Sequence, residues 1–176
     1  IMVWALKDQV SGTYSCNGTG TYWSEGGIYD NIYSWDVNYE YENGLKVHFV
    51  STDLFDDMVA HRNEEAYNGT TFYGTKGWIS LSRESVESNI PEIHKKLNAY
   101  SRGNNTMGQA FLDVIHGKTN EICPLDEAII SDTISHMGDI AIRMKKPVSW
   151  DPVKGKVDDK AGDALYRREY RKPYTV

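Results

Sequence analysis

Residues 33–49 constrain the fold more than any other stretch. Tyr33, Trp35, Val37, Tyr39 and Tyr41 alternate with Ser34, Asp36, Asn38 and Glu40. Successive side chains leave a strand on opposite sides, so this alternation predicts a half-buried β-strand with one aromatic and one polar face. Glu42-Asn43-Gly44 follows, and Asn-Gly is favoured where both central residues of a tight turn need positive φ. Leu45, Val47 and Phe49 then return on the apolar side, with Lys46 and His48 facing away. The segment is a β-hairpin whose apolar face needs a second layer to cover it.

A second hairpin is written in Phe72-Tyr73-Gly74-Thr75-Lys76-Gly77-Trp78-Ile79-Ser80-Leu81-Ser82-Arg83. Gly74 and Gly77 bracket its turn, and Ile79 and Leu81 share one side. Val10 to Trp23, rich in Thr, Tyr, Ser and Gly, reads as a strand bent or bulged at Gly18 or Gly20. Ile1 to Leu6 reads as the end of a helix. Leu54 to Gly69 reads as a long polar loop with a helical turn around Asp56 to Ala60. Glu84 to Arg102 is weakly patterned and broken by Pro91.

The last third is helical. Thr106 and Gln109 have capping-box spacing before an apolar face of Met107, Ala110, Phe111, Val114 and Ile115, and Gly117 closes that helix. A longer helix starts near Pro124. It repeats Ile130, Ile134, Met137, Ala141 and Met144, and stops before Pro147. Arg143, Lys145 and Lys146 suit the negative end of its dipole. Val148 to Trp150 is a short strand and Asp158 to Tyr166 a short helix. Strands precede helices without βαβ alternation. That order predicts an α+β fold, an open, mostly antiparallel β-sheet with helices packed on one face. A length of 176 residues predicts one domain, 1–176.

Charge and composition exclude some function classes. The net charge of −6 supplies no basic face for phosphates, so no nucleic-acid partner is expected. No apolar run is long enough to span a bilayer, so no membrane partner is expected either. Cys16 and Cys123 lie far apart without metal-ligand spacing. There is no dinucleotide fingerprint, phosphate loop or nucleophile elbow, so no cofactor site is expected in this chain. The chain opens on Ile1 in mid-pattern, which reads as a piece cut from a longer protein.

The candidate substrate-binding residues are Asp30, His61 and Arg62. His61 and Arg62 follow Asp56 and Asp57 in the long loop, a cluster able to bind a metal, to act in acid–base chemistry or simply to keep a loop solvated. Asp30 and Asp36 flank the aromatic strand. Rings stack on apolar sugar faces while carboxylates accept from hydroxyls, although the same aromatics equally suit a core or a subunit interface.

Several stretches occur in a telling order: Trp4-Ala5-Leu6, Tyr39-Glu40-Tyr41-Glu42-Asn43-Gly44, Phe72-Tyr73-Gly74-Thr75-Lys76-Gly77-Trp78-Ile79, Met137-Gly138-Asp139-Ile140-Ala141-Ile142-Arg143, Trp150-Asp151-Pro152 and Tyr170-Arg171-Lys172-Pro173-Tyr174. Together they resemble the C-terminal domain of the Gfo/Idh/MocA oxidoreductases, in the bacterial subgroup with an extended C-terminus. The resemblance implies an N-terminal Rossmann domain that binds NAD or NADP, with the catalytic lysine and histidine upstream of Ile1. It further implies a sugar or polyol substrate, pairing into a homo-oligomer through the sheet, and a bacterial, most simply cytoplasmic, setting. The chain by itself is then expected to fold and to be catalytically inactive. A same-superfamily NAD-dependent glycosidase and a stand-alone carbohydrate-binding module are the alternatives.

Overall fold

A computed structural model describes residues 1–23, 27–54, 68–82, 86–98, 107–120, 123–167 and 170–174. Its elements run α1 (Met2–Val10), β1 (Tyr14–Tyr22), β2 (Ile32–Tyr41), β3 (Lys46–Val50), β4 (Thr70–Gly74), β5 (Gly77–Leu81), β6 (Val86–Ser88), α2 (Pro91–Asn98), α3 (Met107–Ile115), α4 (Leu125–Met144), β7 (Val148–Asp151), β8 (Lys156–Val157) and α5 (Lys160–Tyr166). The arrangement is α+β, with two antiparallel sheets. The chain divides into two compact units. One is Met2–Asp57 with Asp126–Val176, and the other is Met58–Leu125 with Ile1.

The first unit is built on a five-stranded sheet of order β3-β2-β1-β7-β8. The hairpin at Asn43-Gly44 sets its register: Glu40 faces Lys46, Asn38 faces His48 and Asp36 faces Val50. Gly44 takes a φ of +86°, the conformation that favours glycine there. Val37, Tyr39 and Tyr41 are buried, while Asn38 and Glu40 between them are exposed. The buried row meets α4, whose Ile134, Met137, Ile140, Ala141 and Ile142 join Val3 and Val10 of α1 and Cys16, Val148 and Trp150 of the sheet. Each buried Val, Ile or Met side chain among them contributes roughly 1.5–3 kcal/mol. α4 ends as its pattern predicts: Lys145 turns left-handed at φ +53° and donates its N–H to Ile142 O at 3.1 Å, and Pro147 follows.

Three details depart from the sequence reading. α1 runs on to Val10, past a kink at Leu6, so β1 starts at Tyr14. The strand irregularity lies beyond the two glycines, between Thr21 and Tyr22. Thr21 faces Ser34 and Tyr22 faces Ile32, which leaves Tyr33 as the extra residue. One inserted residue reverses the alternation beyond it. Ile32 therefore packs against the core, whereas Tyr33 is 44% exposed and stacks on Trp23 with ring centroids 4.8 Å apart. The glycines serve close approach instead: a Cβ at Gly18 would stand 2.6 Å from Asp36 O.

The second unit holds the sheet β4-β5-β6 and helices α2 and α3. Gly74 pairs with Gly77 across the predicted tight turn. Asn89 Oδ1 accepts from Trp78 N at 2.8 Å, and Ser88 Oγ donates to Trp78 O at 2.8 Å, which ties β6 to β5. Sequence patterning missed β6 and α2. Pro91 starts α2 instead of breaking a segment, because the first helical residue needs no N–H partner. The helical turn expected at Asp56 to Ala60 and the cap at Thr106 lie outside the described residues.

Candidate functional site

The described polar side chains that gather beside a concavity belong to the first unit. β1 pairs with β7 only from Tyr14 to Cys16, because β7 begins at Val148, and this leaves a notch beside the rest of β1. The notch is a cleft of about 270 Å3 lined by Asn17, Gly18, Thr19, Asp36, Asn38, Lys145, Lys146 and Pro147. Asn17 faces Asn38 and Thr19 faces Asp36 across the β1–β2 ladder, which places these four side chains on the polar face of the sheet. His48 Nε2 donates to Asp36 Oδ1 at 2.7 Å, and Asn38 Nδ2 donates to the same oxygen at 3.4 Å. Lys146 is committed to Asp159 at 2.6 Å. The lining therefore offers amide, hydroxyl, carboxylate and ammonium groups, a set able to make hydrogen bonds and ion pairs. The sequence reading placed His48 only on the side facing away from the apolar row. Counting residue pairs back from the Asn43-Gly44 turn would have placed it diagonally beside Asp36.

Asp30 lies at the other end of the same strands, in the segment that precedes β2, and is exposed. Its main-chain carbonyl accepts from Arg143 Nη2 at 3.3 Å. The Arg143 guanidinium also pairs with Asp139 at 2.7 Å and stands 5.8 Å from the Tyr22 ring centroid. Asp139, through its hydrogen bond, raises the Arg143 pKa further above its ordinary value, with Tyr22 and Asp30 adding smaller contributions. The structure thus joins Asp30 to Arg143, a residue that sequence reading assigned only to the helix dipole. The spacing of Asp139 and Arg143, four apart on one helix, was the available signal. His61 and Arg62 lie outside the described residues.

Buried groups near this region are structural. Cys16 Sγ donates to Met137 O at 3.3 Å, and burial pushes its thiol up to about 12. Burial likewise raises Tyr14, Tyr39 and Tyr41. Among the described residues there is no cluster of three metal-ligating side chains, and no helix is long and apolar enough to cross a membrane.

No curated protein and no solved structure matches the chain. The model of an oxidoreductase family's C-terminal alpha/beta domain matches residues 28–176, from the segment bearing Asp30 to the last residue, and covers every strand after β1. The chain belongs to the Gfo/Idh/MocA oxidoreductase family, as its C-terminal domain.

Proposed function

We propose that residues 1–176 form a single substrate-binding and assembly domain of an NAD- or NADP-dependent sugar or polyol oxidoreductase. The match of residues 28–176 to the family's C-terminal domain carries this reading. Hydride transfer requires the nicotinamide held against the reacting carbon. This chain has no glycine-rich strand-turn-helix to hold a pyrophosphate, so a Rossmann domain supplies the cofactor and the proton-relay groups. The present domain then contributes a wall of the substrate pocket. Asp30, exposed and tethered at its backbone, accepts from a substrate hydroxyl, and His61 and Arg62 are substrate-contact candidates on their sequence setting alone. Assembly is assigned to the open face of the five-stranded sheet, where Asn17, Asn38 and Glu40 are exposed, with the Trp23–Tyr33 stack at the far end of the same strands.

Full-length protein assayed with NAD and NADP against hexoses, pentoses and inositols tests the reading. Turnover is expected with at least one, and Asp30→Asn raises KM for it about tenfold or more, the scale of a lost charge-assisted hydrogen bond. Absence of any NAD(P)H formation overturns the oxidoreductase reading. Cleavage of aryl glycosides without net reduction of the cofactor favours the glycosidase. In sedimentation velocity, a monomer at every concentration removes the assembly role.

A further inference from the structure

We propose that Arg143 is a positioning residue for the substrate pocket, acting through the segment that carries Asp30. This rests on the reading above in one respect, that Asp30 meets substrate. Arg143 lies in the last turn of α4 and is fixed there by Asp139. A guanidinium presents a planar fork of donors, so one side chain can serve several partners in fixed directions. Nε serves Asp139 and Nη2 serves Asp30 O, while the cation stands by the ring of Tyr22, the last residue of β1. Three elements therefore meet at Arg143: the end of α4, the end of β1 and the approach to β2.

Among the described residues, the segment it holds has little else to fix it. Ile28 is 96% exposed and Tyr29 71% exposed, so neither side chain buries enough surface to anchor residues 28–30. A carbonyl held by an arginine fork restrains main-chain direction, and that direction aims the Asp30 carboxylate. Asp139 in turn fixes the fork. An ordinary exposed ion pair would contribute little. Arg143 differs because its side chain is only 31% exposed and is shared among an acid, a carbonyl and a ring.

The test uses the full-length protein with Arg143→Met, Arg143→Lys, Asp30→Asn and the double variant Arg143→Met/Asp30→Asn. Amide hydrogen exchange is read over residues 32–35, where β2 begins and its ladder to β1 protects amides next to the tethered segment, with residues 37–41 of β2 as the folding control. KM and kcat are read with the best substrate of the hexose, pentose and inositol screen. Arg143→Met is expected to speed exchange of residues 32–35 about tenfold or more while the control is unmoved. KM rises with kcat nearly constant, and Arg143→Lys restores part of the loss. In the double variant the KM effects do not add, because both remove one interaction with substrate. Unchanged exchange in Arg143→Met overturns the tether and leaves the Asp30 assignment standing. Additive KM effects overturn action through Asp30. If exchange accelerates but Asp30→Asn leaves KM unmoved, the Asp30 assignment fails, and the role of Arg143 in the pocket fails with it.

Discussion

Tyr39 and Gly138 meet where the sheet touches the long helix: the Tyr39 hydroxyl occupies the space that a Cβ at Gly138 would enter. An alanine Cβ there would stand 2.5 Å from that oxygen. The hydroxyl donates to Ile134 O at 2.9 Å, one turn earlier on α4. Tyr39 is 1% exposed and cannot swing away. Gly138→Ala removes a helix-interior glycine, a gain of up to about 1 kcal/mol, but overpacks the contact at a cost of about 1–3 kcal/mol. Net destabilisation is expected in denaturant titration. In a Tyr39→Phe background the clashing oxygen is gone, and Gly138→Ala should become neutral or stabilising. A penalty that persists undiminished in that background would rule out this contact as its cause.

Tyr39 and Tyr41 share a face of β2, yet their hydroxyls should respond oppositely to removal. Tyr39 donates to a carbonyl, whereas the buried Tyr41 hydroxyl has no hydrogen-bond partner among the described residues. Tyr39→Phe should cost about 1 kcal/mol, while Tyr41→Phe removes an unsatisfied buried group and should be neutral or stabilising by up to about 1 kcal/mol. Urea midpoints of the two variants, compared at constant m-value, decide the point.

The two cysteines should separate cleanly with a thiol reagent. Cys16 is 1% exposed and its thiol is pushed up to about 12 by burial, so the reactive thiolate is scarce and inaccessible. Cys123 is exposed. At pH 8 one thiol per native chain should react promptly, and the second only in denaturant. Prompt reaction of both in the native protein contradicts the placement of Cys16 against Met137.

Acid should destabilise the fold through its aspartates. Lys7 holds Asp126 below the usual carboxylate range, Lys154 holds Asp151, and Lys146 holds Asp159. The Ser51 hydroxyl does the same for Asp53, and the Val157 N–H for Asp163. A depressed folded-state pKa contributes stability that is complete above the unfolded value, near 3.9, and is lost as pH falls through the folded value. Asp53 and Asp126 are exposed and Asp151, Asp159 and Asp163 half-buried, so the effect should weaken in high salt. Thermal melts should show Tm falling below about pH 4. The fall should be smaller in Asp159→Asn, which has no carboxylate left to protonate at that position. An equal fall in that variant removes the Lys146–Asp159 pair from the account.

Local sequence determined much of this protein. Alternation from Val37 to Tyr41 and the Asn43-Gly44 turn fixed the hairpin, because strand period and turn stereochemistry act over a few residues. The apolar spacing of α4 and its stop before Pro147 were legible for the same reason. The ordered motifs, taken together, pointed to the family. Tertiary structure decided what depends on partners distant in sequence. Whether Tyr33 or Ile32 faces the core rests on a register shift against β1, so Tyr33 itself carries no sign of it. The strand β6 is three residues long and has no period to detect; pairing with β5 defines it. The union of Arg143 with Asp30 spans 113 residues. Only the packing of α4 across the sheet brings that guanidinium to the segment it holds.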